Sequence, residues 1–157
     1  MASSTHNSSP EPSATSALGR RGEELAAAYL QQLGYRLVAS NFIVPVGRNR
    51  NGAIVNVEID LVAYEGTSLC FIEVKTRASD WFAGPLLNVD LRKQRQIIRG
   101  ARAYRRIFGL TEAAYRYDVV SIVWPSGADD DVQIEVLRSF WSEAKFRKRS
   151  WPEHHWD

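Results

Sequence analysis

Carboxylates alternate with aliphatic residues in Val57-Glu58-Ile59-Asp60-Leu61-Val62, and a glutamate and a lysine do the same in Leu69-Cys70-Phe71-Ile72-Glu73-Val74-Lys75-Thr76-Arg77. Ionised groups set among apolar strand residues are costly to desolvate unless they have partners. A divalent cation is the natural partner, because Mg²⁺ takes one or two carboxylates and leaves the rest of its octahedron to water and phosphate oxygens. A lysine beside such an ion can orient a water or hold a developing negative charge. The bland alternative is a wet hairpin face on which Glu and Lys simply alternate.

The elements that must position these groups follow from local patterning. Both segments are rich in β-branched and aliphatic residues, and Tyr64-Glu65-Gly66-Thr67-Ser68 between them carries turn chemistry, which predicts one hairpin. A period of two puts Glu58 and Asp60 on one face of the first strand, and Glu73 and Lys75 on one face of the second. Upstream, Leu18, Leu25, Ala26, Tyr29, Leu30 and Leu33 recur at helical spacing, predicting a helix over 17–33 that Gly34 ends. Glu23 lies at the edge of that apolar face, able to look toward the sheet or to pair with Arg20. Glu24 points into water. The spacing predicts a first strand over 35–43 and then a turn or loop over 45–51, in which Arg48 and Arg50 suit phosphate backbone but equally an ordinary polar tip.

A second helix is expected over 88–108, with Ile97, Ala101, Tyr104 and Phe108 as its buried stripe. On nearly the opposite face, Arg92, Arg95, Arg99, Arg102 and Arg106 form a positive ridge fit for a nucleic-acid backbone, since guanidinium matches phosphate bidentately. Lys93 and Gln94 fall off the ridge and can turn back toward the hairpin's charged end. Strands are expected over 116–124 and 132–137, with Asp118 pairing locally with Arg116. Trp81 and Phe82, between the hairpin and the second helix, suit base stacking or packing over the sheet's end.

Composition bounds the rest. The chain has 157 residues, 45% of them apolar, enough for one domain with a real core. Its net charge of +2 makes bulk attraction to nucleic acid weak, so local distribution must carry any such binding. The single cysteine, Cys70, excludes an internal disulfide framework, and nothing resembles a zinc cluster. With no secretory leader and no apolar run of membrane-spanning length, the expected setting is the cytoplasm, away from membranes. The organisation expected is a disordered tail over 1–16, a domain over 17–138 and a basic, aromatic tail over 139–157, suited to nucleic acid, to docking on its own domain, or to a protein partner.

Taken together, Gly19-Arg20-Arg21-Gly22-Glu23-Glu24-Leu25-Ala26, Gly34-Tyr35, Glu58-Ile59-Asp60-Leu61-Val62, Phe71-Ile72-Glu73-Val74-Lys75-Thr76-Arg77, Lys93-Gln94 and Arg116-Tyr117-Asp118-Val119-Val120 resemble the YraN family from about residue 18 to 123. That family belongs with the restriction-endonuclease-like PD-(D/E)XK superfamily and is similar to archaeal Holliday-junction resolvases. Asp60, twelve residues, then Glu73-Val74-Lys75 matches the superfamily's metal-site spacing, with Ile59 in place of its proline. The resemblance implies an α/β fold with a restriction-endonuclease-like αβββαβ core, a mixed central sheet flanked by helices. It further implies Mg²⁺, or Mn²⁺ in its place, held by Asp60, Glu73 and the Val74 carbonyl, with Lys75 as catalytic lysine and Glu23 as the helix glutamate. The expected activity is endonucleolytic hydrolysis of branched or structured DNA, gripped by Arg48, Arg50, Arg77, Arg92, Lys93, Arg95, Arg99, Arg102 and Arg106, and the likeness adds a homodimer to the expectations. The alternative is a non-catalytic nucleic-acid-binding module on the same fold. Two departures stand out: Val57 where the family usually has glycine, and a loop over 45–56 longer than usual.

Overall fold

Leu69 and Phe71 point to one side of a strand and Cys70 and Ile72 to the other, and each side is buried in a different apolar cluster. This alternation fixes the architecture, because a strand covered on both faces needs a layer on each. The computed structural model describes residues 14–78, 89–125 and 128–147. The expectations for the N-terminal tail as far as residue 13, for Trp81 and Phe82, and for the last ten residues lie outside them.

The elements run α1 (Ala14–Gln32), β1 (Arg36–Arg48), β2 (Ile54–Glu65), β3 (Ser68–Arg77), α2 (Leu91–Ile107), β4 (Tyr115–Val123) and β5 (Gln133–Trp141), the αβββαβ order followed by one more strand. The sheet is mixed and its strands lie in chain order. β3 and β4 are parallel and every other neighbouring pair is antiparallel. On one face, α1 contributes Ala26 and Leu30 to a cluster with Leu61, Cys70, Ile72 and Val120. On the other, Ile97, Ala101 and Tyr104 of α2 pack with Val57, Ile59, Phe71 and Val119.

Local chemistry explains the ends. Gly34, at φ +95, closes α1 where a side chain would be strained. Asp90 caps α2, its carboxylate accepting the Lys93 N–H at 2.7 Å, so the helix starts at Leu91 rather than at residue 88. Leu33 and Phe108, read as members of the buried stripes, sit at helix ends and are 46% and 51% exposed. The segment over 45–56 is no loop. β1 continues through Pro45 to Arg48 and pairs with β2 up to Arg48↔Ile54, leaving only a tight tip at 49–53. Proline is tolerated there because β1 is an edge strand, and the register shift between Pro45 and Gly47 absorbs it. Val57, the departure from the usual glycine, fills space left by another glycine. A Cβ on Gly100 of α2 would come within 2.9 Å of Val57 Cγ1.

Candidate metal centre at the sheet fork

β2 and β3 pair from Glu65↔Ser68 to Leu61↔Ile72, and there the ladder between them ends. Beyond that point β3 stays paired with β4 while β2 stays with β1, so the hairpin opens into a fork. Asp60 is the first residue of β2 past the opening. Its Oδ2 accepts the backbone N–H of Val74 at 2.9 Å, so a carboxylate answers an N–H past the end of the ladder. Glu73, the neighbour of Val74, is 5% exposed and lies close enough to Asp60 for the two charges to act on each other. Its second oxygen is buried without a hydrogen-bond partner.

Both carboxyl groups are pushed up, and for both the first cause is burial. Glu73 rises to about 8, the nearby charge of Asp60 adding to the effect. Burial of one acid beside another disfavours the doubly ionised pair, which is why both are pushed up together. Lys93, in the first turn of α2, pulls both values down, in keeping with its expected turn toward the hairpin. The Lys75 Nζ lies 3.8 Å from Glu73 Oε1.

A second group of acids adjoins the first. Ligand oxygens of Glu23, Glu58 and Asp60 lie within 4.8 Å of one another. Glu23 reaches the sheet because α1 approaches β3 closely at Gly22, whose missing Cβ leaves the space taken by the Thr76 hydroxyl. Its carboxylate accepts from the Asn41 amide at 2.6 Å, and the same nitrogen donates to Glu58 Oε1 at 3.0 Å. The hydrogen-bond partner of Glu23 is thus Asn41, with Arg20 acting on it only through space. Burial raises Glu23, the Asn41 bond opposes that, and the charges of Asp60 and Glu58 add to it. An open cleft of about 700 Å³ lined by Arg20, Glu23, Ser40, Asn41 and Glu58 gives access.

Glu58 carried no role in the sequence reading beyond sharing a face with Asp60, and that i, i+2 spacing was its signal. Asn41 gave no signal at all. The basic residues are more dispersed. Arg48 braces the Gly52 carbonyl at 2.7 Å, and Arg50 is exposed at the hairpin tip. Arg77 buries its Nε without a hydrogen-bond partner. All five ridge arginines of α2 are exposed, yet Arg102 is paired with Glu143 at 3.0 Å, Arg95 lies over Phe146, and Arg99 donates to the Val46 carbonyl at 3.3 Å. The described residues after β5, 142–147, therefore dock on their own domain and cover part of the ridge. No described helix is long and apolar enough to cross a membrane.

The model of the uncharacterised protein family UPF0102 matches residues 22–122, from the helix that carries Glu23 to the end of β4. The chain belongs to this family. Among UPF0102 proteins it is similar to one from Chlorobium chlorochromatii, 44% identical over 71% of this chain and 78% of that one, and to one from Geobacter sulfurreducens, 44% identical over 67% and 74%. A UPF0102 protein from Chlorobium limicola is 38% identical over 80% of this chain and 93% of its own length. Among solved structures, the crystal structure of SSO0001 is similar at 16% identity with a TM-score of 0.41, covering 85% of this chain and 56% of that one, a likeness too low to carry an argument. UPF0102 membership accords with the YraN resemblance and spans the fork with all four of its acids.

Proposed function

We propose that this UPF0102 protein is a Mg²⁺-dependent endonuclease that hydrolyses phosphodiester bonds of DNA, branched or otherwise structured, with Mn²⁺ able to replace Mg²⁺. The observation that carries the reading is the meeting of Asp60 and Glu73 at the fork. Glu73 is buried there with one oxygen lacking a hydrogen-bond partner, and the part-buried Asp60 carboxylate accepts the N–H of the adjoining Val74. The donors are all hard oxygens, which suits a hard divalent ion and not a thiophilic one. Asp60, Glu73 and the backbone carbonyl of Val74 would hold the ion. Bound there, it supplies polarisation of a scissile phosphate and acidifies a water.

The remaining work falls to the chain itself. Lys75, beside Glu73, positions the attacking water and offsets negative charge as it develops. Glu23, with an oxygen within 4.8 Å of Asp60, orients outer hydration or a second ion. Arg92 and Arg106 keep exposed guanidiniums for flanking phosphates, joined by Arg48, Arg50, Arg77, Lys93 and Arg99, and none of these contacts reads sequence. Arg95 and Arg102 join them only once released from Phe146 and Glu143.

A gel assay with a four-way junction, a flap, single-stranded DNA and linear duplex, in Mg²⁺, Mn²⁺ and chelator, tests this directly. The expected result is metal-dependent cleavage of a junction or flap, and a loss of about 10³-fold or more in Asp60→Asn with DNA binding retained. Binding without cleavage by the wild type in every metal would replace the enzyme with a nucleic-acid-binding module.

A further inference from the structure

Asn41 sits at φ +50 inside β1, a left-handed conformation that interrupts an otherwise extended strand. Non-glycine residues occupy this region at a cost, asparagine less than most, and such outliers persist where surrounding contacts hold them. The contacts here are two carboxylates from two other elements, Glu23 of α1 at 2.6 Å and Glu58 of β2 at 3.0 Å. The register passes from Ser40↔Leu61 to Phe42↔Ile59, so Asn41 stands opposite Asp60, whose ligand oxygen lies within 4.8 Å of both glutamates. The amide's orientation is set by chemistry. Only the NH₂ end can face two carboxylates, and it offers one hydrogen to each.

We infer that Asn41 is a positioning residue that holds Glu23 and Glu58 in register with Asp60, so that the fork meets its divalent ion with these carboxylates already gathered. Glu58 thereby joins the ion's surroundings as a further acid. This rests on the metal-centre reading above and extends it to two residues that reading does not use. Each glutamate gives one oxygen to the amide and keeps the other for the ion or its water shell. Without the amide, nothing neutral stands between two like charges on flexible side chains, and both turn toward water. The ion must then reassemble them, and the ordering cost falls on binding.

The test is Mn²⁺ affinity of the full chain, read by electron paramagnetic resonance of free Mn²⁺, for wild type, Asp60→Asn, Asn41→Gly, Glu58→Gln and the Asn41→Gly/Glu58→Gln double variant, each with a thermal melt. Glycine takes φ +50 without a Cβ penalty, so Asn41→Gly removes the amide and keeps the backbone. The expected result is a loss of affinity of roughly 10- to 100-fold in Asn41→Gly, as for other residues that orient metal ligands, with the melting temperature close to wild type. The double variant should lose less than the sum of the two single losses, because both act through one contact. Wild-type affinity in Asn41→Gly, tighter binding, or strict additivity overturns the inference. If Asp60→Asn abolishes Mn²⁺ binding and Asn41→Gly does not touch it, the role of Asn41 alone falls; if the wild type binds no Mn²⁺, the metal-centre reading falls with it.

Discussion

The two ends of the β2–β3 hairpin both gather acids, and they treat them in opposite ways. At the turn end, Glu65 accepts from Arg116 at 2.6 Å and from Arg138 at 2.7 and 2.9 Å. Asp118, fully buried, takes Arg116 Nε on both oxygens and the Ser139 N–H, while the Arg116 Nη2 that serves Glu65 also donates to the Tyr35 hydroxyl at 3.0 Å. Two carboxylates thus meet two guanidiniums, and Glu65 is lowered to about 2, the Arg138 hydrogen bond being the largest cause. At the fork end, Glu23, Glu58, Asp60 and Glu73 meet one amide, one backbone N–H, the ammonium groups of Lys75 and Lys93 and, through space, the Arg20 guanidinium. There Glu73 is raised to about 8. One end carries its own counter-ions and is closed. The other leaves a buried Glu73 oxygen without a hydrogen-bond partner, the feature on which the proposed metal centre rests.

Removing one cation from the closed end gives the largest effect on stability. Arg116→Ala strips Asp118 of its guanidinium in a fully buried site and should cost about 3–5 kcal/mol, measured by urea unfolding. Asp60→Asn, at the open end, should leave the metal-free midpoint unchanged or raise it, because it removes a carboxylate whose charge burial disfavours and keeps an oxygen for the Val74 N–H. A loss in Asp60→Asn as large as in Arg116→Ala would erase the contrast between the two ends.

The pH dependence sharpens the contrast, since the two ends act on opposite limbs. Glu73 has a folded-state value of about 8, above the ordinary 4.5, so its contribution is fully present below pH 4.5 and is lost as pH rises through about 8. Glu65, lowered from 4.5 to about 2, contributes stability that is present above pH 4.5 and lost as pH falls through about 2. The urea midpoint of metal-free protein should therefore decline on both sides. Glu73→Gln or saturating Mg²⁺ should flatten the alkaline limb and leave the acid limb alone. An alkaline limb that survives Glu73→Gln would detach it from the fork.

A smaller effect comes from geometry without any change of charge. In Gly22→Ala the new Cβ meets the Thr76 hydroxyl, so α1 must move off β3 at the fork end alone. The expected cost is about 1–3 kcal/mol, with the melting temperature lowered and the Glu65 titration followed by NMR unmoved. A shifted Glu65 titration would show the two ends to be coupled.

The fork's core was legible in the sequence because it is local in kind. Alternation put Glu58 on one face with Asp60 and Glu73 on one face with Lys75, and the Asp60-to-Glu73 spacing matched that of the restriction-endonuclease-like superfamily. The parts that escaped depend on distant partners. Glu65 finds Arg116 and Arg138 across β4 and β5, and no periodicity encodes that. Arg102 reads as a free phosphate contact until Glu143 folds back to meet it. Pro45 reads as a loop residue because its place on an edge strand is a property of the whole sheet. Asn41 looks like an ordinary strand residue, and only the left-handed backbone and its two glutamates give it a role.

The central claim is that the open end of the hairpin takes a divalent ion between Asp60 and Glu73. Crystals soaked in Mn²⁺, with the ion located by anomalous scattering, test it most directly. The expected result is a peak about 2.0–2.3 Å from carboxylate oxygens of both residues, near the span of hard-ion contacts with oxygen. A peak only at Glu65 and Asp118, or a fork free of manganese in fully soaked crystals, would contradict it.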